Sequence, residues 1–227
     1  MANHLDLEEQ EQLDQLKHFW KQYGNLITWA LILVLGAVAS WNGFQLWQRN
    51  QSLQASAMFD EVEKVVKTAD PQKAERAFSD MKERFPSAMY TQQAGLLVSK
   101  LVYEAGKPDV TKAILNWLVE HGNDKGYISV ARLRLASVLA DAKSFEAALK
   151  TLDTGISEEF SGLASDRRGD IYILMGQKPQ AKLEYQKAFR AFDEQSEYRR
   201  LVSVKLSALG VDPQSDIKVV KAAEIAK

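Results

Sequence analysis

The chain has 227 residues, a formal charge of -1 and no cysteine. These values exclude disulfides, thiol nucleophiles and thiolate metal sites, and the balanced charge argues against a dedicated nucleic-acid surface. Beyond residue 49 there remain 178 residues with 26 basic and 25 acidic side chains, enough for one domain with its own core.

Residues 1–21 are polar and acidic, with a partial apolar stripe at Leu13, Leu16, Phe19 and Trp20. This pattern predicts a solvated tail leading into a short interfacial helix. Between Lys21 and Arg49 lie 27 residues without a charge. About 20 helical residues cross a hydrocarbon core of about 30 Å, and residues 26–46 meet that length. Trp41, Phe44 and Trp47 cluster at the far end, with Tyr23 and Trp29 at the near end, as aromatic belts do.

Two other readings of this run compete with an uncleaved anchor. Ala37-Val38-Ala39 has the small-x-small form of a signal-peptide cleavage site. Against cleavage, the leader would be long and would carry Asp6, Glu8, Glu9, Glu11 and Asp14 against only Lys17 and Lys21. A core helix of a soluble protein is the other reading, and it needs a partner surface on every face. Lys17, His18 and Lys21 before the run outnumber Arg49 after it, which favours a cytoplasmic N-terminus. Gly36 with Ser40, and Ala39 with Gly43, form small-x-x-x-small faces suited to a lateral helix contact.

After Arg49 the sequence is rich in helix formers, broken by short Gly, Pro and Asp clusters. The breaks predict helices at residues 52–68, 71–85, 88–105, 109–120, 126–141, 144–154, 159–175, 179–192 and 195–209, which make four pairs and a terminal helix. Asp70 before Pro71 reads as an N-cap with proline at the first helical position. Asp109 and Ser144 are expected to cap the corresponding later helices.

A repeat runs through these helices. Gly169, Tyr172, Gly176, Ala181, Tyr185 and Ala188 follow tetratricopeptide spacing, with small residues for close helix approach and rings between pairs. Ala136, Leu139, Lys143, Ala148 and Leu152 repeat it 33 residues earlier, after Leu135 where the later unit has Arg168. Ala74, Phe78, Met81 and Pro86 form a weaker unit. Ser99, Val102, Gly106, Ala113 and Trp117 form another, read with two extra residues in its turn. The last predicted helix, with Tyr198, Leu201, Val202, Val204, Lys205, Leu206 and Leu209, is expected to cover the final repeat with its apolar side. Ile217, Val219 and Val220 follow in a tail whose docking stays open.

No catalytic pattern emerges. His4, His18 and His121 have no metal-ligand spacing, there is no phosphate-binding glycine loop, and Gly-x-Ser-x-Gly is missing. Catalytic, cofactor and metal residues are therefore all predicted to be none. His121 and the pair Glu158-Glu159 fit helix-end positions favoured by the dipole. Arg132, Arg134, Arg167 and Arg168 lie on first-in-pair helices, the usual groove wall of a stacked repeat, and suit acidic segments or peptide carboxylates. Their competing role is that of ordinary solvated or intramolecularly paired arginines. Trp117, Tyr127 and Tyr172 read as core rings.

Trp41-Asn42-Gly43, Leu133-Arg134-Leu135-Ala136, Ala147-Ala148-Leu149-Lys150-Thr151-Leu152-Asp153 and Asp166-Arg167-Arg168-Gly169-Asp170 carry a family resemblance. Over nearly its whole length the chain resembles the small bacterial inner-membrane tetratricopeptide proteins described as the ancillary translocon subunit of the Sec machinery. The resemblance implies an all-α fold, with one transmembrane helix followed by a repeat solenoid of about four helix pairs and a terminal helix. It also implies a cytoplasmic acidic tail at residues 1–21, an anchor at 22–48, a periplasmic repeat domain at 50–210 and a C-terminal tail at 211–227. The implied partners are the SecYEG translocon, a periplasmic membrane-anchored peptidyl-prolyl isomerase-like chaperone, nascent or unfolded polypeptides and the lipid bilayer, with no nucleic acid. The implied function is non-enzymatic: linking emerging periplasmic polypeptides to periplasmic chaperones. Two alternatives stand beside it, a structural scaffold for another envelope complex and a membrane-tethered regulator of a cytoplasmic stress-response protein.

Overall fold

The structure is a computed structural model that describes residues 7–212, and every regular element among them is helical. In chain order the α-helices are α1 Leu7–Lys67, α2 Pro71–Arg84, α3 Met89–Glu104, α4 Pro108–His121, α5 Lys125–Asp141, α6 Phe145–Asp153, α7 Ser161–Leu174, α8 Lys178–Ala191 and α9 Glu197–Ala208. A single 3₁₀ turn, Glu158–Phe160, precedes α7. The fold is all-α, as the breaker pattern predicts. His4 and the segment holding Ile217, Val219 and Val220 lie outside the described residues. The chain divides between Leu53 and Gln54 into two compact units.

The first unit is built on α1, a helix of 61 residues that extends beyond it. The sequence predicts a short interfacial helix, a span and a new helix from residue 52, but the backbone does not break between them. No glycine or proline occurs from Phe44 through Asp70, and Gln48, Arg49 and Gln51 are good helix formers. The return of charge at Arg49 changes what the helix surface contacts, not whether the helix continues. The apolar side chains of the run face outward: Leu33 is 71% exposed, and Leu26, Leu35 and Trp41 are nearly as open.

The second unit is a run of helix hairpins with a recurrent closing turn. Ala69, Gly106, Lys143, Gly176 and Gly210 each adopt positive φ, between 53° and 75°, at the end of a first-in-pair helix. In four of these turns the next N–H donates five residues back: Lys107 to Val102 O (3.1 Å), Ser144 to Leu139 O (2.9 Å), Gln177 to Tyr172 O (2.8 Å) and Val211 to Leu206 O (3.1 Å). This is the Schellman arrangement, which satisfies carbonyls left over at a helix end.

The second helix then returns with a fixed register. The fifth, ninth and twelfth residues after the turn are Ala74, Phe78 and Met81 in α2, Thr111, Leu115 and Leu118 in α4, and Ala181, Tyr185 and Ala188 in α8, all buried. The α6 unit places Ala148 and Leu152 in the first two of these positions, also buried. The reading of Ala113 and Trp117 as the α4 pair is therefore corrected to Thr111 and Leu115. Ala113 is exposed, Trp117 is half-buried, and the turn at Gly106 carries no extra residues. The first helices of that unit and of the next are instead long, 16 residues in α3 and 17 in α5 against 14 in α7.

Gly169 shows why small residues recur seven positions before the turn. A Cβ there would lie 2.5 Å from Tyr185 Cδ1, inside any carbon–carbon contact. The corresponding residues Ser99 and Ala136 are buried as well.

Capping follows the prediction at Asp70, whose side chain accepts from Lys73 N–H at 3.1 Å. Its carboxyl pKa is held below the usual range by that backbone hydrogen bond and by the Lys73 side chain. Asp109 is not a cap: Lys107 takes that position, Pro108 opens the helix, and Asp109 falls in the first turn. Ser144 occupies the cap position but makes no side-chain capping bond. Asp124, which the sequence reading passed over, caps α5 by accepting from Tyr127 N–H at 2.9 Å.

The core is continuous in chemistry but built in sections. Phe59, Val62, Phe78, Met81, Ala94, Leu115, Leu118 and Leu135 form the first section. Ala136, Ala148, Leu152 and Ile171 form the next, and Tyr185, Phe189, Val202 and Leu206 the last. Tyr127 and Tyr172 are half-buried at the edges of these sections rather than at their centres. The apolar side of α9 is split: Val202 and Leu206 are buried as expected, whereas Leu201 and Val204 are exposed.

Candidate functional site

Two surfaces offer themselves, one in each unit. In the first, α1 is long and apolar enough to cross a membrane, the one such helix found among the described residues. Aromatic side chains gather at both ends of the charge-free run. Phe19 and Tyr23 stand 5.1 Å apart between ring centroids, and Phe44 and Trp47 stand 6.0 Å apart. At a helical rise of about 1.5 Å per residue, Tyr23 and Phe44 are separated by about 32 Å along the axis, close to the hydrocarbon thickness. Gly36 and Gly43 have nothing within 4 Å of where a Cβ would stand, so the small-residue faces are open on this helix.

In the second unit the first-in-pair helices α3, α5, α7 and α9 make up the wall expected to bind. The four arginines placed there by sequence are engaged inside the fold. Arg132 donates to Thr151 O at 3.2 Å, and Arg168 donates to Leu152 O, at the C-terminal end of α6. That helix end lacks a backbone capping bond, so two guanidinium groups from neighbouring helices take over its free carbonyls and complement its dipole. Arg134 donates to Leu96 O of α3 at 2.5 Å, and burial lowers its pKa. Arg167 lies 4.0 Å from Asp170. Of the two ordinary roles, solvated or intramolecularly paired, the structure shows pairing.

Beside charged groups such as Lys100 and Glu104, the wall exposes large apolar side chains. Tyr103 and Ile173 occupy the same place, three residues before their turns, and both are exposed; Leu174, Leu201 and Val204 are exposed too. Tyr103 also donates its hydroxyl to Asp141 of α5. On the second-in-pair helices Leu183 is the large hydrophobic in this state among the described residues.

A charged cluster at the α7–α9 contact is the densest polar feature of the unit. Asp166 is buried; its Oδ1 accepts from Lys205 Nζ at 2.7 Å and its Oδ2 from Tyr198 Oη at 2.8 Å. Asp170 Oδ1 accepts from Lys205 at 2.6 Å and from Tyr185 Oη at 2.7 Å. Burial first, and then the hydrogen bonds to these carboxylates, raise the pKa of both tyrosines well above the ordinary phenol value. Every group in this cluster is paired within it, so it fastens α9 rather than offering a ligand site. Sequence spacing shows only that Asp166 and Asp170 share a face of α7; it gives no sign that Lys205 and Tyr198 arrive from 30 or more residues away.

A shallow cavity of about 220 Å³ opens between α2 and α4, lined by Glu75, Phe78, Lys82, Ile114 and Trp117 among others. His121 stacks on Trp117 at 5.2 Å at the end of α4, where the sequence places it for dipole reasons. Glu158 and Glu159 open the 3₁₀ turn before α7. Among the described residues no group of three or more His, Asp or Glu stands close enough to hold a metal ion.

The family described as "Tetratricopeptide repeat-like domain" matches residues 17–211. Curated relatives named "Ancillary SecYEG translocon subunit" match along most of the chain. The Neisseria gonorrhoeae protein is 29% identical over 213 residues, covering 92% of this chain and 100% of the relative. The Haemophilus influenzae protein is 29% identical over 182 residues, covering 80% and 89%. The Escherichia coli protein is 23% identical over 206 residues, covering 89% and 97%.

Proposed function

This chain belongs to the tetratricopeptide repeat-like domain family, and from that premise we propose that it is a non-enzymatic interaction module anchored in a bacterial inner membrane as an accessory of the Sec translocon. The observation that carries the reading is the presence in one chain of a membrane-length, charge-free helix and tandem helix hairpins whose first-helix wall exposes Tyr103, Ile173 and Leu174. The names of the relatives supply the translocon, and their near end-to-end matches support carrying it over.

In this reading residues 1–21 are a cytoplasmic tail, 22–48 the anchor, 50–210 a periplasmic repeat domain and 211–227 a tail. The charge pattern around the span supports that orientation. The repeat domain hands emerging polypeptides toward periplasmic chaperones, with a membrane-anchored peptidyl-prolyl isomerase-like chaperone as a partner. Exposed apolar side chains on a wall of backbone-satisfied helices suit extended, incompletely folded clients.

Purification in mild detergent with identification of co-purifying chains tests the assignment, and SecY, SecE and SecG are the expected partners. Photo-crosslinkers at Tyr103 and Ile173, in membranes synthesising secreted proteins, test client contact. Stoichiometric recovery of some other envelope complex, without nascent chains, would instead favour the scaffold reading. Protease that reaches residues 54–212 only from the cytoplasmic face would overturn the orientation and favour the regulator.

A further inference from the structure

The helix α4 carries more apolar surface than its place in the stack requires. Thr111, Leu115 and Leu118 fill the repeat register and are buried. A second stripe, Val110, Ala113 and Trp117, runs beside them at i, i+3 and i+7. Trp117 stands eleven residues after its turn at Gly106. At the same count from Ala69, Lys143 and Gly176 the other units have Asp80, Thr154 and Lys187, all polar and exposed. Four residues after the turn, Val110 stands where α2 has Lys73 and α8 has Gln180. The packing of the repeat therefore does not account for Trp117.

The second stripe forms one side of the cavity between α2 and α4. Trp117 meets Phe78 of α2 edge-on at 5.7 Å between ring centroids, and His121 stacks on it at 5.2 Å. The volume of about 220 Å³ is below the range of about 300–1,000 Å³ usual for small-molecule sites, and it suits one large side chain. The charges at the mouth are unequally engaged. Glu75 is held by Lys107 at 2.9 Å. Lys82 makes no ion pair or hydrogen bond among the described residues, and its Nζ stands 6.0 Å from the centre of the Trp117 ring. An apolar floor with a free cation at its edge is complementary to an apolar side chain that has a carboxylate beside it. We propose that the α2–α4 cavity binds a polypeptide segment, seating one large apolar side chain on Trp117 and Phe78 and an adjacent carboxylate on Lys82. The site lies on second-in-pair helices, separate from the wall of α3, α5, α7 and α9, and it does not depend on what that wall binds.

Trp117 is the one tryptophan outside α1, so subtracting the spectrum of Trp117→Phe isolates its emission. The probe is the peptide acetyl-Gly-Ser-Asp-Phe-Ser-Gly-amide, added to the full chain in detergent. One control peptide has Lys in place of the Asp, and another has Ala in place of the Phe. The expected result is a saturable change in Trp117 emission with the first peptide. It should bind about threefold tighter than the Lys form, as one exposed charge pair allows, and at least about tenfold tighter than the Ala form. Lys82→Gln should bring the Asp and Lys forms together. No saturable change below about 5 mM, or equal binding of the Asp form and either control, overturns the proposal.

A second readout leaves Trp117 in place. Ser79 lines the cavity and is exposed, and the chain has no native cysteine. Alkylation of Ser79→Cys should slow at least about threefold when the peptide saturates the site, whereas alkylation of Ser207→Cys on α9 should not change. Equal slowing at both positions, or none at Ser79→Cys, overturns the proposal. Slowing at Ser79→Cys that grows with protein concentration alone overturns it in favour of a second copy on this face. If Trp117→Phe fails to fold, the alkylation result decides.

Discussion

At Gly169 a single methyl group has no room. The ring of Tyr185 occupies the place a Cβ would take, and Tyr185 is fixed in turn by its hydrogen bond to Asp170. Gly169→Ala should cost about 1–3 kcal/mol, the usual range for overpacking, and chemical denaturation of the full chain in detergent measures it. Replacing Tyr185 by Leu in the same chain should recover part of the loss. Tyr185 and Tyr198 also set an alkaline limit. Their folded pKa values are raised, so their contribution is complete below the unfolded phenol value of about 10 and is lost as pH rises beyond it. Denaturation midpoints should therefore fall between about pH 9 and 11, and Tyr185→Phe with Tyr198→Phe should flatten that fall. The small-large spacing of Gly169 and Tyr185 was legible in the sequence because it repeats. The Asp166–Lys205–Tyr198 cluster was not, because side chains brought together by stacking leave no periodic trace.

For the helices, legibility followed the chemistry of the breaks. Gly106, Gly176, Asp70-Pro71 and Gly210 mark boundaries that the backbone respects within a residue or two, since positive φ and a fixed proline ring are local requirements. The expected break near residue 50 failed for the complementary reason: polarity changes there while helix propensity does not. Asp109 misled because Pro108 already fills the first helical position and pushes the cap back to Lys107. Lys143 exposes a cost the sequence hid. It holds φ +58° where Gly106, Gly176 and Gly210 hold similar angles freely. Lys143→Gly should stabilise the hairpin by about 0.5–1 kcal/mol, because a left-handed backbone is strained for any residue with a Cβ. A higher denaturation midpoint for this variant, with unchanged helical content, is the expected result.

For the whole molecule, the anchor reading depends on the side chains of α1 being solvated by lipid. Leu33→Arg, near the centre of the charge-free run, should cost about 3 kcal/mol of insertion free energy. The variant should shift into the alkali-extractable fraction of membranes, while Leu33→Phe should stay with the wild type. The same side chains leave the first unit with little core of its own, whereas the second unit carries its apolar groups inside. Hydropathy therefore made the division between an outward-facing apolar helix and a domain with its own core legible, while no residue pattern on the exposed wall specifies a ligand.

The guanidinium groups that seal the carbonyl end of α6 are already spoken for, and Arg134 is committed to Leu96 in the same way. On the proposed function, a polypeptide lying along this wall then meets exposed apolar side chains and self-paired charges in place of a basic clamp. Its grip should be nearly indifferent to ionic strength. Raising KCl from about 50 to about 300 mM, which shortens the Debye length to roughly 6 Å, should alter an apparent Kd by less than about twofold.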